Sequence, residues 1–420
     1  MNISRRTYLS LSAAALTGLA ASRAGADTPA ADDIIAAVGT DAFPATTEFP
    51  KIQPCYLNSA SQHPIPARSR KAVNGYLDHK QSFDTSEGYR ADTRSALTKF
   101  AELMNADADE VTYVQSTTAG EHAVIRALGL PGSTDRIVTD TLHFFGSLPL
   151  YDGLAKQGCD VAWVRARDNK IHMEDLDKAI TPGTKLVALS LVSTINGFQH
   201  DLKAVCDLAH SRGALVYADI IHAAGCVPVD LHDSGVDFAA CASYKWLMGD
   251  FGLGFLYVKK SVQEQLPRTN WGYYGISKFT THIYPFDEPG DTIVDCAFSD
   301  SATGHFANGT YDHVTAVQLS ESLDYLKELE IAKIQAHAKP LVERLSEGMK
   351  SQGFDVITPE GTQTPIVAAA YKDAYARLSE KMKAAGIQTS ISRHRIRPSV
   401  SVFNTMDDVE AYLAALGQAE

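Results

Sequence analysis

The chain has 420 residues, room for one large α/β domain and a smaller companion. Hydrophobic residues make up 45% and charged residues 21%, the balance of an ordinary soluble globular protein. Acidic residues number 50 against 38 Lys and Arg, for a net charge of -12, and no basic run occurs, which argues against nucleic acid as a main partner.

The first 26 residues read as a targeting signal. Ser4-Arg5-Arg6-Thr7-Tyr8-Leu9 is a twin-arginine pattern, followed by a short alanine-rich apolar run and the small-x-small site Ala24-Gly25-Ala26. The alternative is an N-terminal anchoring helix, but the apolar run is short for a bilayer. The expectation is a periplasmic protein exported by the twin-arginine machinery. Residues 27–55, with Pro44 and Pro50, form a lead-in of loop and one short helix. Six cysteines are scattered without C-x-x-C or metal-like spacing, so buried free thiols are expected.

Tyr56-Leu57-Asn58-Ser59-Ala60 opens the body of the chain, with Asn58 read as a turn residue. Residues 90–104 carry apolar side chains at helical spacing, and 109–115 make a short strand. Thr117 and Thr118 then stand where a helix over 119–128 begins; hydroxyls and free N–H groups there make either an ordinary N-cap or an anion site. Strands are expected at 136–140, 159–164 and 185–192, and a helix at 202–212. The apolar run 214–219 ends in Asp219, with His222 three residues on; a second run, 236–241, leads into Ser243, Tyr244 and Lys245 and then Gly249-Asp250-Phe251-Gly252-Leu253-Gly254. In open α/β sheets ligands sit beyond the carboxyl ends of the strands, so Asp219 and Lys245 should converge on one crevice. Residues 261–304 show no regular period and read as a long loop. Helices are expected at 314–329, 331–349 and 375–385, with a strand at 365–370.

A lysine and an aspartate at one crevice suit pyridoxal 5'-phosphate, the amine forming a Schiff base and the carboxylate keeping the ring nitrogen protonated. The ordered set D-I-I-H-A-A-G (219–225), V-D-F-A-A-C-A-S-Y-K-W (236–246) and G-L-G-F-L-Y-V (252–258) resembles the class V aminotransferase family, which includes cysteine desulfurases, selenocysteine lyases and isopenicillin N epimerase-like enzymes. The resemblance runs from about Tyr56 to about Leu416. It implies an α/β protein of the type I pyridoxal phosphate fold: a large domain (56–300) with a mostly parallel mixed sheet flanked by helices, and a smaller α+β C-terminal domain (301–420).

The resemblance also assigns roles. Lys245 would carry the cofactor, and Asp219 would hold its ring nitrogen. His143 would stack on the ring, with Phe144 the competitor, and His222 would lie beside the phenolic oxygen. Thr117, Thr118, Ser243 and Tyr244 would hold the phosphate, and Thr310, in F-x-x-G-T, would reach the neighbouring subunit's cofactor across a homodimer with shared active sites. Arg397, in the R-x-S segment before Asn404-Thr405, would grip the substrate α-carboxylate, with Arg393 and Arg395 nearby. Thr194 stands where desulfurases carry asparagine, and Asn196 is its possible substitute. No cysteine lies between Ile387 and Arg397, where desulfurases place their nucleophile, so a persulfide-forming mechanism is not expected. The expected function is aminotransferase-like chemistry at the Cα of an amino acid or peptidyl amine, with C–S lyase or epimerase as the alternative. Lys245, Asp219 and Arg397 together argue against a non-catalytic binding module.

Overall fold

The computed structural model describes residues 43–50, 52, 55–82 and 91–418; the twin-arginine stretch, the small-x-small site and most of the lead-in lie outside them. Eight strands come first: β1 (Cys55–Leu57), β2 (Val111–Val114), β3 (Arg136–Asp140), β4 (Asp160–Val164), β5 (Thr184–Ser190), β6 (Leu215–Asp219), β7 (Phe238–Ala242) and β8 (Gly254–Val258). All but β1 form one sheet in the order β2-β8-β7-β6-β5-β3-β4. Strand β8 alone runs against the others, antiparallel to both β2 and β7, while the neighbours from β7 across to β4 are parallel.

The central strands are apolar along their whole length because helices cover both faces of a parallel sheet. Val216, Tyr217 and Ala218 of β6 are fully buried, and each large apolar side chain so buried contributes about 1.5–3 kcal/mol. Before β6, the helix Leu202–His210 is capped by Asp201, which accepts the Ala204 N–H at 3.0 Å, and Gly213 at φ 79° turns the chain back into the sheet. The parallel strands β3, β5, β6 and β7 thus deliver Asp140, Ser190, Asp219 and the Ser243–Lys245 turn to one edge.

The segment expected as irregular loop (261–304) holds regular structure. Strands β9 (Ile276–Thr281) and β10 (Val294–Phe298) pair antiparallel from Val294↔Thr281, with a bulge at Ala297/Phe298. Residues Ile276–Ser299 form a compact unit of their own. The hairpin is exposed along most of both strands, so it carries no period-2 burial pattern for the sequence to show.

The C-terminal strands are β11 (Asp355–Val356), β12 (Ala369–Ala370), β13 (Ile387–Ser392) and β14 (Arg395–Arg397), in a second sheet of order β1-β13-β14-β12-β11. Two features show how the ends of the chain join these sheets. Strand β1 pairs parallel with β13, Cys55 opposite Ile387, so the chain enters through the small sheet rather than the large one. The helix His313–Leu329 puts Ala316, Leu319 and Leu323 into the same core as Phe100 and Phe255, whose rings stack at 4.1 Å. Apart from Leu57 of β1, the hydrophobic cluster around the second sheet begins at Ala338, within the helix Ile331–Ser351. Among the described residues no helix is long and apolar enough to cross a membrane.

Candidate active site

Lys245 follows β7 by three residues and is buried. Its Nζ lies 2.9 Å from His222 Nε2. Burial pulls the amine down to about 7, with the Asp219 charge resisting and Arg397 assisting. His222 is driven well below its ordinary value by burial and by the positive field of Lys245, Arg397 and Arg395, so its imidazole is neutral. Its Nδ1 is buried without a partner.

The lysine turn is held from three directions. Thr117 Oγ1 accepts the Ala242 N–H at 2.9 Å, fixing the start of the helix Thr117–Ala127 against the end of β7. Tyr244 O accepts the His63 N–H at 2.9 Å, and His63 Nε2 lies 2.6 Å from Ser401 Oγ, tying the turn to the chain's entry and to its C-terminal segment. Gly225, at φ 97°, lets the turn after Asp219 pass against the Trp246 carbonyl; a Cβ there would run into it.

The N-cap of that helix is Ser116, whose Oγ accepts the Ala119 N–H at 3.1 Å, so Thr117 and Thr118 occupy its first turn. This corrects the expected start at residue 119. The N–H groups of Thr117 and Thr118 remain for an anion, and Thr118 is exposed. Tyr244 stacks on Phe251 at 4.3 Å, with the Lys245 Nζ 5.5 Å from the phenol ring centre. The Ser243 hydroxyl faces the carbonyls of Asp250 and Leu253, both at 2.8 Å, and its one proton closes the glycine-rich loop. Thr310 lies exposed with its hydroxyl 2.6 Å from that of Tyr273 and joins none of these contacts.

Asp219 ends β6. Its Oδ1 accepts the Ile221 N–H at 3.0 Å, while its Oδ2 receives only a long bond, 3.3 Å, from Ser190 Oγ. Burial pushes this carboxyl up. Ser190 continues to His143, whose Nδ1 is 2.8 Å from Ser190 Oγ and whose Nε2 is 3.1 Å from Glu121 Oε1. Glu121 also accepts from Ser147 and Tyr151, both at 2.6 Å. Because the Phe144 N–H donates to Ser190 Oγ at 3.1 Å, the pattern closes with His143 protonated at both nitrogens. In it, Nε2–H donates to Glu121, Nδ1–H donates to Ser190, and the Ser190 proton goes to Asp219. Burial alone would lower the His143 pKa, but the Glu121 bond and charge raise it. Glu121 is the residue that sequence reading missed. Its signal was a carboxylate four residues after Thr117 and four before Ile125, on the buried stripe of the helix.

Arg397 is 5% exposed. Its Nη1 donates to Thr194 O at 2.9 Å and to Thr194 Oγ1, and its Nη2 to Ser61 Oγ at 2.9 Å; its Nε has no partner. Thr194 therefore positions the arginine. Asn196 turns away, donating to Asn169 O and Ile357 O, which fits no cofactor contact. Asn58 sits in the entry turn, its carbonyl accepting the Ser61 N–H at 2.9 Å.

These residues fit pyridoxal phosphate. The buried carboxylate short of a donor suits a ring N–H, the unpaired N–H groups at Thr117 and Thr118 suit a phosphate, and the buried amine of lowered pKa suits an aldehyde.

The model of the aminotransferase class-V family matches residues 55–412. Among curated proteins, the chain is 26% identical to a probable cysteine desulfurase of Methanothermobacter thermautotrophicus, over 70% of this chain and 72% of that one. It is 28% identical to the kynureninase of Pseudomonas fluorescens, over 65% of each. Among solved structures it resembles the cysteine desulfurase CsdA of Escherichia coli in its S-sulfonic acid form, with TM-score 0.77 at 22% identity, over 90% of this chain and 98% of that one. The complex of the cystine C-S lyase C-DES with its product cysteine persulfide superposes at TM-score 0.75 and 18% identity, over 90% and 100%. At these identities the structural likenesses carry the fold alone.

Proposed function

The chain belongs to the class V aminotransferase family of pyridoxal phosphate-dependent enzymes, and from that premise we propose aminotransferase-like chemistry at the Cα of an amino acid or peptidyl amine. Bound at this site, pyridoxal 5'-phosphate supplies an aldehyde and an electron-withdrawing ring. The chain's own residues do the rest. Asp219 holds the proton of the ring nitrogen, with His143 and Ser190 behind it; Arg397 orients the substrate carboxylate; and the first turn at Thr117 and Thr118, with Tyr244, takes the phosphate. Lys245, its pKa brought down to about 7, is both the attachment point and the base for the Cα proton, with His222 beside it. The observation that carries this reading is a fully buried amine paired with a neutral histidine instead of a carboxylate.

Borohydride reduction of cofactor-loaded protein, followed by peptide mapping, should place a pyridoxyl group on Lys245; an unmodified peptide there overturns the reading. A screen of amino acids for keto-acid release then tests transamination. The thiols favour one second reading. Burial raises Cys55 and Cys206 to about 12, and raises Cys226 and Cys241 well above the usual thiol value. No cysteine precedes Arg397 in its strand, which supports a C–S lyase without a second thiol over a persulfide-forming desulfurase. Sulfide, ammonia and pyruvate released together from cysteine, with no keto acid supplied as amino-group acceptor, would select it.

We further propose a periplasmic homodimer exported by the twin-arginine route, on the strength of Ser4-Arg5-Arg6-Thr7-Tyr8-Leu9 and Ala24-Gly25-Ala26. For the dimer, the support is Thr310 left at the surface and exposed aromatics such as Trp271 (69%) and Phe251 (54%), the latter stacked on Tyr244. Light scattering and N-terminal sequencing of the periplasmic fraction test these; a monomer, or Met1 retained in the cytoplasm, refutes them.

A further inference from the structure

The geometry points to a substrate with two acidic groups: Arg397 takes the α-carboxylate, and Arg395, from the same strand, takes a carboxylate on the substrate's side chain. This rests on the proposed function and names its substrate class.

Arg395 and Arg397 are alternate residues of β14, so their side chains leave the same face of the small sheet. Both reach one loop after β5. Arg397 Nη1 donates to the carbonyl of Thr194, and Arg395 Nη1 donates to the next carbonyl, that of Ile195, at 3.1 Å. The two guanidinium groups are therefore fixed side by side. Five arginines elsewhere in the chain are paired with acids. Arg68 is paired with Glu48 and Glu328, Arg136 with Asp160, Arg167 with Asp175, Arg212 with Asp177 and Arg344 with Glu410. Among the described residues, neither Arg395 nor Arg397 has a carboxylate at ion-pair distance.

Two like charges held together without an acid carry a penalty, and it shows. Burial, with Arg395 adding to it, pulls Arg397 down to about 10, and both arginines push the buried His222 the same way as Lys245 does. The arginines thus share the crevice of the lysine and its histidine. A single α-carboxylate satisfies the planar fork of one arginine, with the orphaned Nε of Arg397 as one of its donors. The second guanidinium, that of Arg395, is partly buried and donates from Nη1 to the Ile195 carbonyl, which leaves N–H groups for a second anion. The cofactor phosphate has its own place at the first turn of the helix Thr117–Ala127, so the remaining charge falls to the substrate. An aspartate- or glutamate-like amino acid supplies two carboxylates at a spacing that residues two apart on a strand, roughly 6.6 Å, can bridge through their long side chains.

The test has two arms. In the first, cofactor-free protein is titrated by calorimetry with glutarate and succinate against butyrate. The dicarboxylates should bind at least about tenfold tighter, the gain of one charge-assisted bond. Arg395→Gln should collapse that gap, while Arg393→Gln, at an exposed position of the turn before β14, should leave it. Equal binding of mono- and dicarboxylates by the wild-type protein overturns the inference, whatever the variants do. In the second arm, visible absorbance of cofactor-loaded protein is followed against glutamate and glutamine, and aspartate and asparagine. A response of equal strength to acid and amide overturns the dianion while leaving the proposed function intact. No response to any amine removes the proposed function, and the calorimetry still decides the pair of arginines on its own.

Discussion

Replacing Glu121 with Gln tests whether His143 and Glu121 form a charged pair behind Asp219. The wild-type carboxylate is almost wholly buried and accepts from His143, Ser147 and Tyr151. Glutamine keeps the shape, but its amide nitrogen faces groups that now donate. Removing one partner of a buried ion pair costs about 3–5 kcal/mol, and a hydrogen bond to a charged group contributes about 1.5–3. Because His143 can respond by shedding a proton, the lower end applies, about 3 kcal/mol near pH 6. The sign follows from the two shifts. His143 is raised above its ordinary 6.5, so its contribution is complete below 6.5 and is lost as pH climbs through the folded value. Glu121 is lowered from 4.5, so its contribution is complete above 4.5 and is lost as pH falls through the folded value. Urea unfolding of the cofactor-free protein should therefore show the largest gap between wild type and Glu121→Gln between the ordinary values of the two groups, 4.5 and 6.5, narrowing as pH rises through the raised value of His143. A gap constant across that range would mean a neutral pair, and no gap would mean that Glu121 holds nothing.

Three further outcomes follow from the same geometry. The rate at which cofactor-free protein captures pyridoxal phosphate should rise with pH to a half-maximum near 7, where Lys245 loses its proton; a midpoint near the ordinary 10.5 would refute the desolvated amine. Gly225→Ala forces a Cβ into the Trp246 carbonyl at a positive φ, so it should cost at least about 1–3 kcal/mol in denaturant titration and slow cofactor capture at the adjacent Lys245. Maleimide should label Cys296, the one exposed thiol, at once, with Cys55 slow and Cys159, Cys206, Cys226 and Cys241 protected until unfolding; rapid labelling of a buried thiol would contradict the packing.

What the sequence showed depended on how local the cause was. Strand β3 falls where the apolar run placed it, and the helices Ile331–Ser351 and Ala374–Ala384 differ by a residue or two, because periodicity and caps are written within a dozen positions. The meeting of Asp219 with Lys245 was also legible, since each closes a buried run and parallel strands bring such ends to one edge. The pairing of β1 with β13 was not, for Cys55 and Ile387 are brought together by the fold and not by any neighbour in the chain. The two-residue strands β11 and β12 are too short to carry a pattern. The hairpin Ile276–Phe298 presents no buried face, so the signal that marks most strands is missing.

The site residues divide along the same line: motif order put Lys245 just past the end of its strand, but could not show what the Ser243 hydroxyl would meet. A residue's type and place in a turn say which groups it brings. Whether a hydroxyl has a hydrogen left to give depends on which carbonyls its own loop exposes, and the glycine-rich stretch after Lys245 exposes those of Asp250 and Leu253 directly to Ser243. Glu121 is the converse case. A carboxylate on the buried stripe of a helix looks like a cost until His143, from the end of a strand two neighbours across the sheet from β6, arrives to share its charge. Both outcomes were decided by complementarity between segments far apart in the chain. That same complementarity is absent around Arg395 and Arg397, where two cations meet and no described residue answers them. Buried acids such as Glu48, Glu121 and Asp140 each meet a basic side chain within the fold, and the pair Arg395 and Arg397 is left for the proposed dianionic substrate to answer.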